Sequence, residues 1–224
     1  MKCVADEAKF INSFSRYIKG VDYPCVGAKA AQSRHAIEYN VAADIESSFD
    51  DIEITKTLQT FATHAPADAL FSTCVVGFVN SRKMSELDFE KALWRRLQAL
   101  HDLDQVNFGW DARVSNDPQS PDFSLSVGGK GFYVVGVHPN ASRIARRFEY
   151  AALVFNLHSQ FAQLRVDGRY SLMSASIAGR DIALSGTTNP MLTQHGESSE
   201  ARQYSGRKLQ NDWQCPFRAT EKMR

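Results

Sequence analysis

The sequence predicts an α+β fold: a small, mainly antiparallel sheet covered by helices, in a single domain spanning residues 1–224. Three observations carry that expectation. Helical and strand patterns are mixed unevenly along the chain, which disfavours the regular alternation of a parallel α/β array. Two apolar stretches, residues 123–127 and 132–137, flank Gly128-Gly129-Lys130-Gly131, a tight connection that reads as a β-hairpin. The 224 residues contain no internal repeat, low-complexity tract or long linker, and that length suffices for one substantial core.

Each element has its own signal. Phe10, Phe14, Tyr17 and Ile18 follow helical spacing and predict an amphipathic first helix, which Tyr23-Pro24 interrupts. Cys25-Val26-Gly27 leads into an alanine-rich second helix over residues 28–37. Ile52, Leu58 and Phe61, set among acidic residues, predict a third helix over 48–63, with Ser48 or Asp50 as its N-cap. Residues 70–79 are apolar and β-branched, as a buried strand requires. Leu87, Leu93, Trp94 and Leu97 give the clearest helix, residues 84–100, capped by Ser85 with Asp88 three positions on. Asp117-Pro118 and Ser120-Pro121 mark a loop before the hairpin. Residues 153–155 suggest a third strand of the antiparallel set and 159–165 a short helix. Residues 170–184 suggest a further helix, broken near Gly179. From 186 to 216 the chain is polar and lacks apolar periodicity, and long irregular segments of this kind are usually functional or disordered.

Bulk composition excludes more than it selects. The hydrophobic fraction of 43% and charged fraction of 23% are those of a soluble globular protein. A net charge of +1 offers no global argument for nucleic acid or membrane partners. The charge is asymmetric, however. Residues 1–127 carry 13 Lys and Arg against 18 Asp and Glu, while residues 128–224 carry 13 against 7. The basic half is arginine-rich, its only lysines being Lys130, Lys208 and Lys222. Arginine suits planar, bidentate recognition of carboxylate or phosphate. The cysteines Cys3, Cys25, Cys74 and Cys215 are too widely spaced for a CxxC zinc or redox motif. Residues 1–10 hold Lys2, Asp6, Glu7 and Lys9 and no apolar signal core, and no apolar run approaches bilayer length. The expected compartment is the cytoplasm, with reduced thiols.

Candidate chemistry concentrates in residues 132–215. His138 ends a predicted buried strand, a rigid position suited to a metal ligand or acid/base group. Arg143, Arg146 and Arg147 follow at i, i+3 and i+4, which on a helix is one face. Such a face would welcome heme propionates, a phosphate or a substrate carboxylate. A solvated basic surface is the equal alternative. His158 sits at a second strand-to-helix transition, where a neutral imidazole could ligate iron with Asn156 or a carbonyl orienting it. A capping histidine is the commoner outcome. Asn189, Glu200, Arg202, Tyr204 and Arg207 lie in the polar segment, and together offer both signs of charge for a zwitterionic amino acid. Cys215, before Pro216, could give iron a thiolate, and Cys25, ahead of a helix, could have a lowered pKa. Buried structural cysteine is the commoner role for each. P-loop, spaced GxGxxG, HExxH and GxSxG signatures are missing.

Several ordered motifs resemble the YqcI/YcgG family across nearly the whole chain. They include Pro24-Cys25-Val26-Gly27-Ala28-Lys29-Ala30-Ala31, His138-Pro139 with Ser142-Arg143 and Ala145-Arg146-Arg147-Phe148, and Val154-Phe155-Asn156 with His158 and Gln160-Phe161. Arg180-Asp181, Asn189-Pro190-Met191-Leu192, the run Ser199-Glu200-Ala201-Arg202-Gln203-Tyr204-Ser205-Gly206-Arg207, and Trp213 with Cys215-Pro216 complete the pattern. Members with known roles are similar to heme-dependent N-hydroxylases acting on the guanidino group of arginine or a cyclic derivative, as in the routes to cycloserine and guanitoxin. The resemblance implies heme b, molecular oxygen, an external reductant and an arginine-like amino-acid substrate, with no nucleic acid or membrane partner. His138, His158 and Cys215 are the candidate iron ligands. Arg143, Arg146 and Arg147 would serve the propionates. Glu200 or Asp181 would meet a guanidinium, with Arg202 or Arg207 for its α-carboxylate. A non-catalytic heme sensor or carrier, and a cofactor-free anion-binding module, are the competing readings. A homodimer is expected if so small a domain needs a partner to close a heme slot.

Overall fold

In the computed structural model, which describes residues 4–65, 70–192 and 196–220, helix α1 (Val4–Lys19) buries Phe10, Phe14 and Ile18 on one stripe. Cys3 and Lys222 lie outside the described residues. Helix α2 (Val26–Ser33) is shorter than its alanine content predicts, because the chain turns at Ser33–His35 and enters strand β1 (Ile37–Ala42). That strand is absent from the sequence expectation. Its alternating Ile37-Glu38-Tyr39-Asn40-Val41 suits a sheet edge, where a strand has one neighbour only.

Helix α3 (Asp51–His64) follows a 3₁₀ turn, Ser48–Asp50. Asp50 is the N-cap residue of α3, as expected, but its carboxylate makes no capping bond; it accepts from the Ala43 amide at 2.7 Å, tying the helix start to the end of β1, while Ser47 caps the preceding turn. Strand β2 (Thr73–Phe78) is buried throughout. Helix α4 (Glu86–Asp104) starts as its sequence signals: Ser85 Oγ accepts from the Asp88 amide at 3.1 Å and donates to its carboxylate at 2.8 Å. The hairpin of β3 (Leu125–Val127) and β4 (Lys130–Val137) turns at Gly128 and Gly129, both at positive φ. Strand β5 (Ala151–Leu157) runs directly into α5 (His158–Val166), followed by α6 (Arg169–Ser185) and the short α7 (Ala201–Tyr204). Gly179 does not break α6; it faces open space, so it lowers helix propensity without a kink.

The strand order is β1-β2-β5-β4-β3, with β1 and β2 parallel and every other pair antiparallel, as the α+β expectation holds. Helices α3 and α4 cover one face, packing Leu58, Phe89, Leu93 and Leu97 against Val76, Phe132, Val134 and Phe155. Three cross-strand rows make the opposite face. Val41, Gly77, Ala152 and Val137 form the row beneath α1, and Tyr39, Val75, Val154 and Val135 the next. Ile37, Thr73, Asn156 and Tyr133 form the last. Among the described residues no helix is long and apolar enough to cross a membrane.

A Cβ at Gly77 would overlap the fully buried Phe10 ring. Gly77→Ala is therefore expected to destabilise the fold by about 1–3 kcal/mol, the usual cost of overpacking. Denaturant midpoints check this, and the loss should shrink in a Phe10→Leu background, where the ring is gone.

Candidate functional site

Because α1 covers only one end of its sheet face, the row Ile37-Thr73-Asn156-Tyr133 is left to floor a cavity of about 280 Å³. Helices α2, α5 and α6 and the segments around Asn189 and Gln203 wall it. Its surface is mainly apolar, from residues such as Phe14, Ile18, Ala31, Phe161, Met173 and Ile177. The polar groups are few: Cys25, Asn156, Gln160, Arg143, Arg146 and Asp181 among them. An apolar pocket with a small number of placed polar groups is the usual form of a ligand site.

The cover is held by arginine. Arg143 ion-pairs with Asp181 of α6 and donates to Thr187 O and Oγ1, each at 3.2 Å. Arg180, also on α6, donates to Val21 O at 2.9 Å and Tyr23 O at 3.2 Å. Arg146 donates to Gly136 O at 2.9 Å, Gln203 O at 3.1 Å and Tyr204 O at 3.3 Å. All its partners are carbonyls, and no carboxylate among the described residues pairs with it. Its positive charge therefore acts on the cavity, where it favours the anionic forms of Tyr17, Cys25, Tyr23 and Tyr133 against the effect of burial.

Gln160 is 5% exposed. Its Nε2 donates to Ser72 O at 3.1 Å, but its Oε1 has no hydrogen-bond partner. A buried acceptor left unpaired costs free energy unless a donor arrives. Asn156 Nδ2 makes one long bond, 3.4 Å, to Tyr133 O. Cys25 is the N-cap of α2, and its Sγ accepts from the Ala28 amide at 3.4 Å. Burial raises its pKa, so the expected lowering is corrected: the helix amides and Arg146 oppose that rise without overcoming it.

The sequence candidates divide sharply. Arg143, Arg146 and Asn189 line the cavity. The single arginine face does not form, because only Ile144–Arg146 is helical and that as one 3₁₀ turn. Arg147 points away and donates to Ala141 O and Ser142 O. His138 lies on the other face of the sheet, 1% exposed and stacked on Phe89 with ring centroids 4.2 Å apart. Burial lowers its pKa to about 4, and its Nδ1 is unpaired. His158 is not among the lining residues; its Nδ1 lies 3.0 Å from Ser124 Oγ, which donates to Glu200 at 3.1 Å. Cys215 packs on the α4 side, and burial raises its pKa to about 12. Tyr204 is a buried strut whose hydroxyl donates to Phe132 O at 3.0 Å and accepts from the Leu125 amide. Arg207 grips Glu90 with two bonds, 2.9 and 2.8 Å. Arg202 donates to Gln210 O and Trp213 O. Among the described residues no three His, Cys, Asp or Glu side chains converge to hold a bare metal ion.

Sequence reasoning did not single out Gln160 as a site residue, and it weighed Cys25 as a thiol of lowered pKa or a buried structural cysteine. No local signal could have found the orphaned oxygen, which exists only once α5 packs over Ser72. A family model described as the YqcI/YcgG family matches residues 14–218. No curated protein and no solved structure matches the chain.

Glu200 yields a test in pH. Burial raises its carboxyl from 4.5 to about 7, against the pull of Ser124 and Arg165. The folded state thus prefers the protonated acid. Its stabilising effect is complete below the unfolded value and is lost as pH rises from about 4.5 through about 7, costing roughly 3 kcal/mol. Glu200→Gln, which mimics the protonated acid, should flatten the stability profile across that window, as read by urea titrations at several pH values.

Proposed function

The chain belongs to the YqcI/YcgG family, and from that premise we propose that it is a heme-dependent monooxygenase that N-hydroxylates the guanidino group of L-arginine or an arginine-derived amino acid. The observation that carries this reading is the cavity: an apolar slot on the α2–α5–α6 side with a thiol, two cations and an orphaned acceptor on its walls.

That donor set fits the cofactor. Apolar residues such as Ile18, Ala31, Phe161 and Met173 would hold a macrocycle, and Arg143 and Arg146 would meet its propionates. Heme b, when bound, supplies the activation of molecular oxygen with electrons from an external reductant. The remaining work belongs to this chain. A guanidinium is donor-only, with five N–H groups, so it needs acceptors. Gln160 Oε1 is an acceptor without a partner, and Asn156 Oδ1 is the second amide oxygen on the floor. Asp181 adds a buried carboxylate beside them, its charge balanced by Arg143. The apolar walls exclude water, which strengthens each of these contacts.

Protein expressed with heme supplied should show a Soret band. With oxygen, a reductant and L-arginine or a cyclic relative, mass spectrometry should find substrate carrying one added oxygen on the guanidino group. Absence of bound heme overturns the reading; heme without product across those substrates makes the protein a carrier. Gln160→Leu should leave heme content intact and lower kcat/KM by about 10–100-fold, the loss of one hydrogen bond to a charged group.

A further inference from the structure

The heme reading needs an iron ligand, and neither histidine candidate reaches the cavity: His138 is behind the sheet and His158 is turned toward Ser124. Cys215 packs on the opposite side as well. The side chains on the cavity wall with a donor suited to heme iron are Cys25, Met173, Met191, Tyr23 and Tyr133. Most are already engaged. Tyr133 donates to Gln203 Oε1 at 3.1 Å, Tyr23 packs edge-on against Tyr17, and Met191 Sδ accepts from the Leu209 amide at 3.4 Å.

We propose that Cys25, as its thiolate, is the axial ligand of heme iron in this cavity, an inference that rests on the heme reading of the site. Three features of the fold point to it. Pro24 and Cys25 are fixed at the start of α2, with the Cys25 Sγ capped by the Ala28 amide, so the sulfur sits at the positive end of a helix. Gly27 adds no Cβ between the sulfur and the Phe71 ring. Arg146, whose contacts are all carbonyls, supplies an uncompensated cation. The first and third favour negative charge on the sulfur, and the second keeps the space beside it clear. Gln160, 95% buried on the α5 wall of the same cavity and with its Oε1 unpaired, independently marks a place for a ligand.

Binding balances simply. The Cys25 S–H bond breaks, an iron–sulfur bond forms, and the proton leaves to solvent; nothing is oxidised or reduced. Burial keeps the thiol protonated until then, so heme uptake should release a proton and tighten as pH rises.

The test is spectroscopic, on full-length protein titrated with hemin. The ferrous–CO complex should show the red-shifted Soret band of thiolate ligation, and the ferric protein the matching low-spin resonance. Cys25→Ser should abolish both signatures and weaken heme binding at least about tenfold, while Cys215→Ala and His158→Ala retain them. Cys25→His, checked for folding by circular dichroism, should convert the spectrum to that of imidazole ligation. Heme bound without a thiolate signature, or a signature that survives Cys25→Ser, overturns this assignment and leaves the heme reading standing. Failure of the wild type to bind hemin overturns both.

Discussion

Gly77 decides where α1 can sit, and that decision creates the cavity. Its lack of a Cβ lets the Phe10 ring close on the sheet at the row Val41-Gly77-Ala152-Val137. Phe14 and Phe148 then pack edge to face beside it, with centroids 5.4 Å apart. The helix is thereby anchored at one end of the sheet face. Two rows further along, the floor carries Thr73, Asn156 and Tyr133 in place of a continuous apolar row. Those residues cannot be sealed by an aliphatic helix without stranding polar atoms, so the face stays open there and receives α2, α5 and α6 as walls.

The arginines of the second half act mainly as internal fasteners. Arg146 ties β4 to the α7 segment through three carbonyls, and Arg207 with Trp213 and Ser205 saturates the buried Glu90. A guanidinium is well suited to this because its fork satisfies several acceptors at once. Much of the positive charge of this half is therefore engaged in contacts within the fold. What remains for a ligand is the charge of Arg146, since carbonyl partners accept hydrogen bonds without cancelling a full positive charge.

The fold class, the hairpin and the Ser85-capped helix were legible because each rests on local chemistry: an alternating pattern, glycines at positive φ, an N-cap followed by an acid. Strand β1 was not: residues 37–41 alternate, but so short a stretch directly after an alanine-rich helix reads as the end of that helix, and only its pairing with β2 defines it. The same distinction governs the site. The motifs around residues 24–31 and 143–206 were visible, but density of arginine and histidine did not reveal which side chains share a space. His138, just past the end of β4, is five positions from Tyr133 and faces the opposite side of the sheet, because that odd separation inverts orientation. Cys25 and Gln160 line one cavity although 135 positions separate them in the sequence.

The cover over the cavity is held differently from the rest of the core. On α6 only Asp181 is buried, while Leu172 stands 77% exposed and Ile182 42%. Its attachment comes from the Arg143–Asp181 pair and from the Arg180 bonds to Val21 and Tyr23, together with the contact of Met173 and Ile177 with the cavity. Little apolar area is lost if those ties part, so this helix opens at lower free energy than the sheet behind it. A ligand that reached the cavity from the α6 side would leave α3 and α4, on the other face of the sheet, undisturbed. Met173 and Ile177 line the cavity, so a ligand filling it would gain contacts with α6 and favour the closed position of that helix.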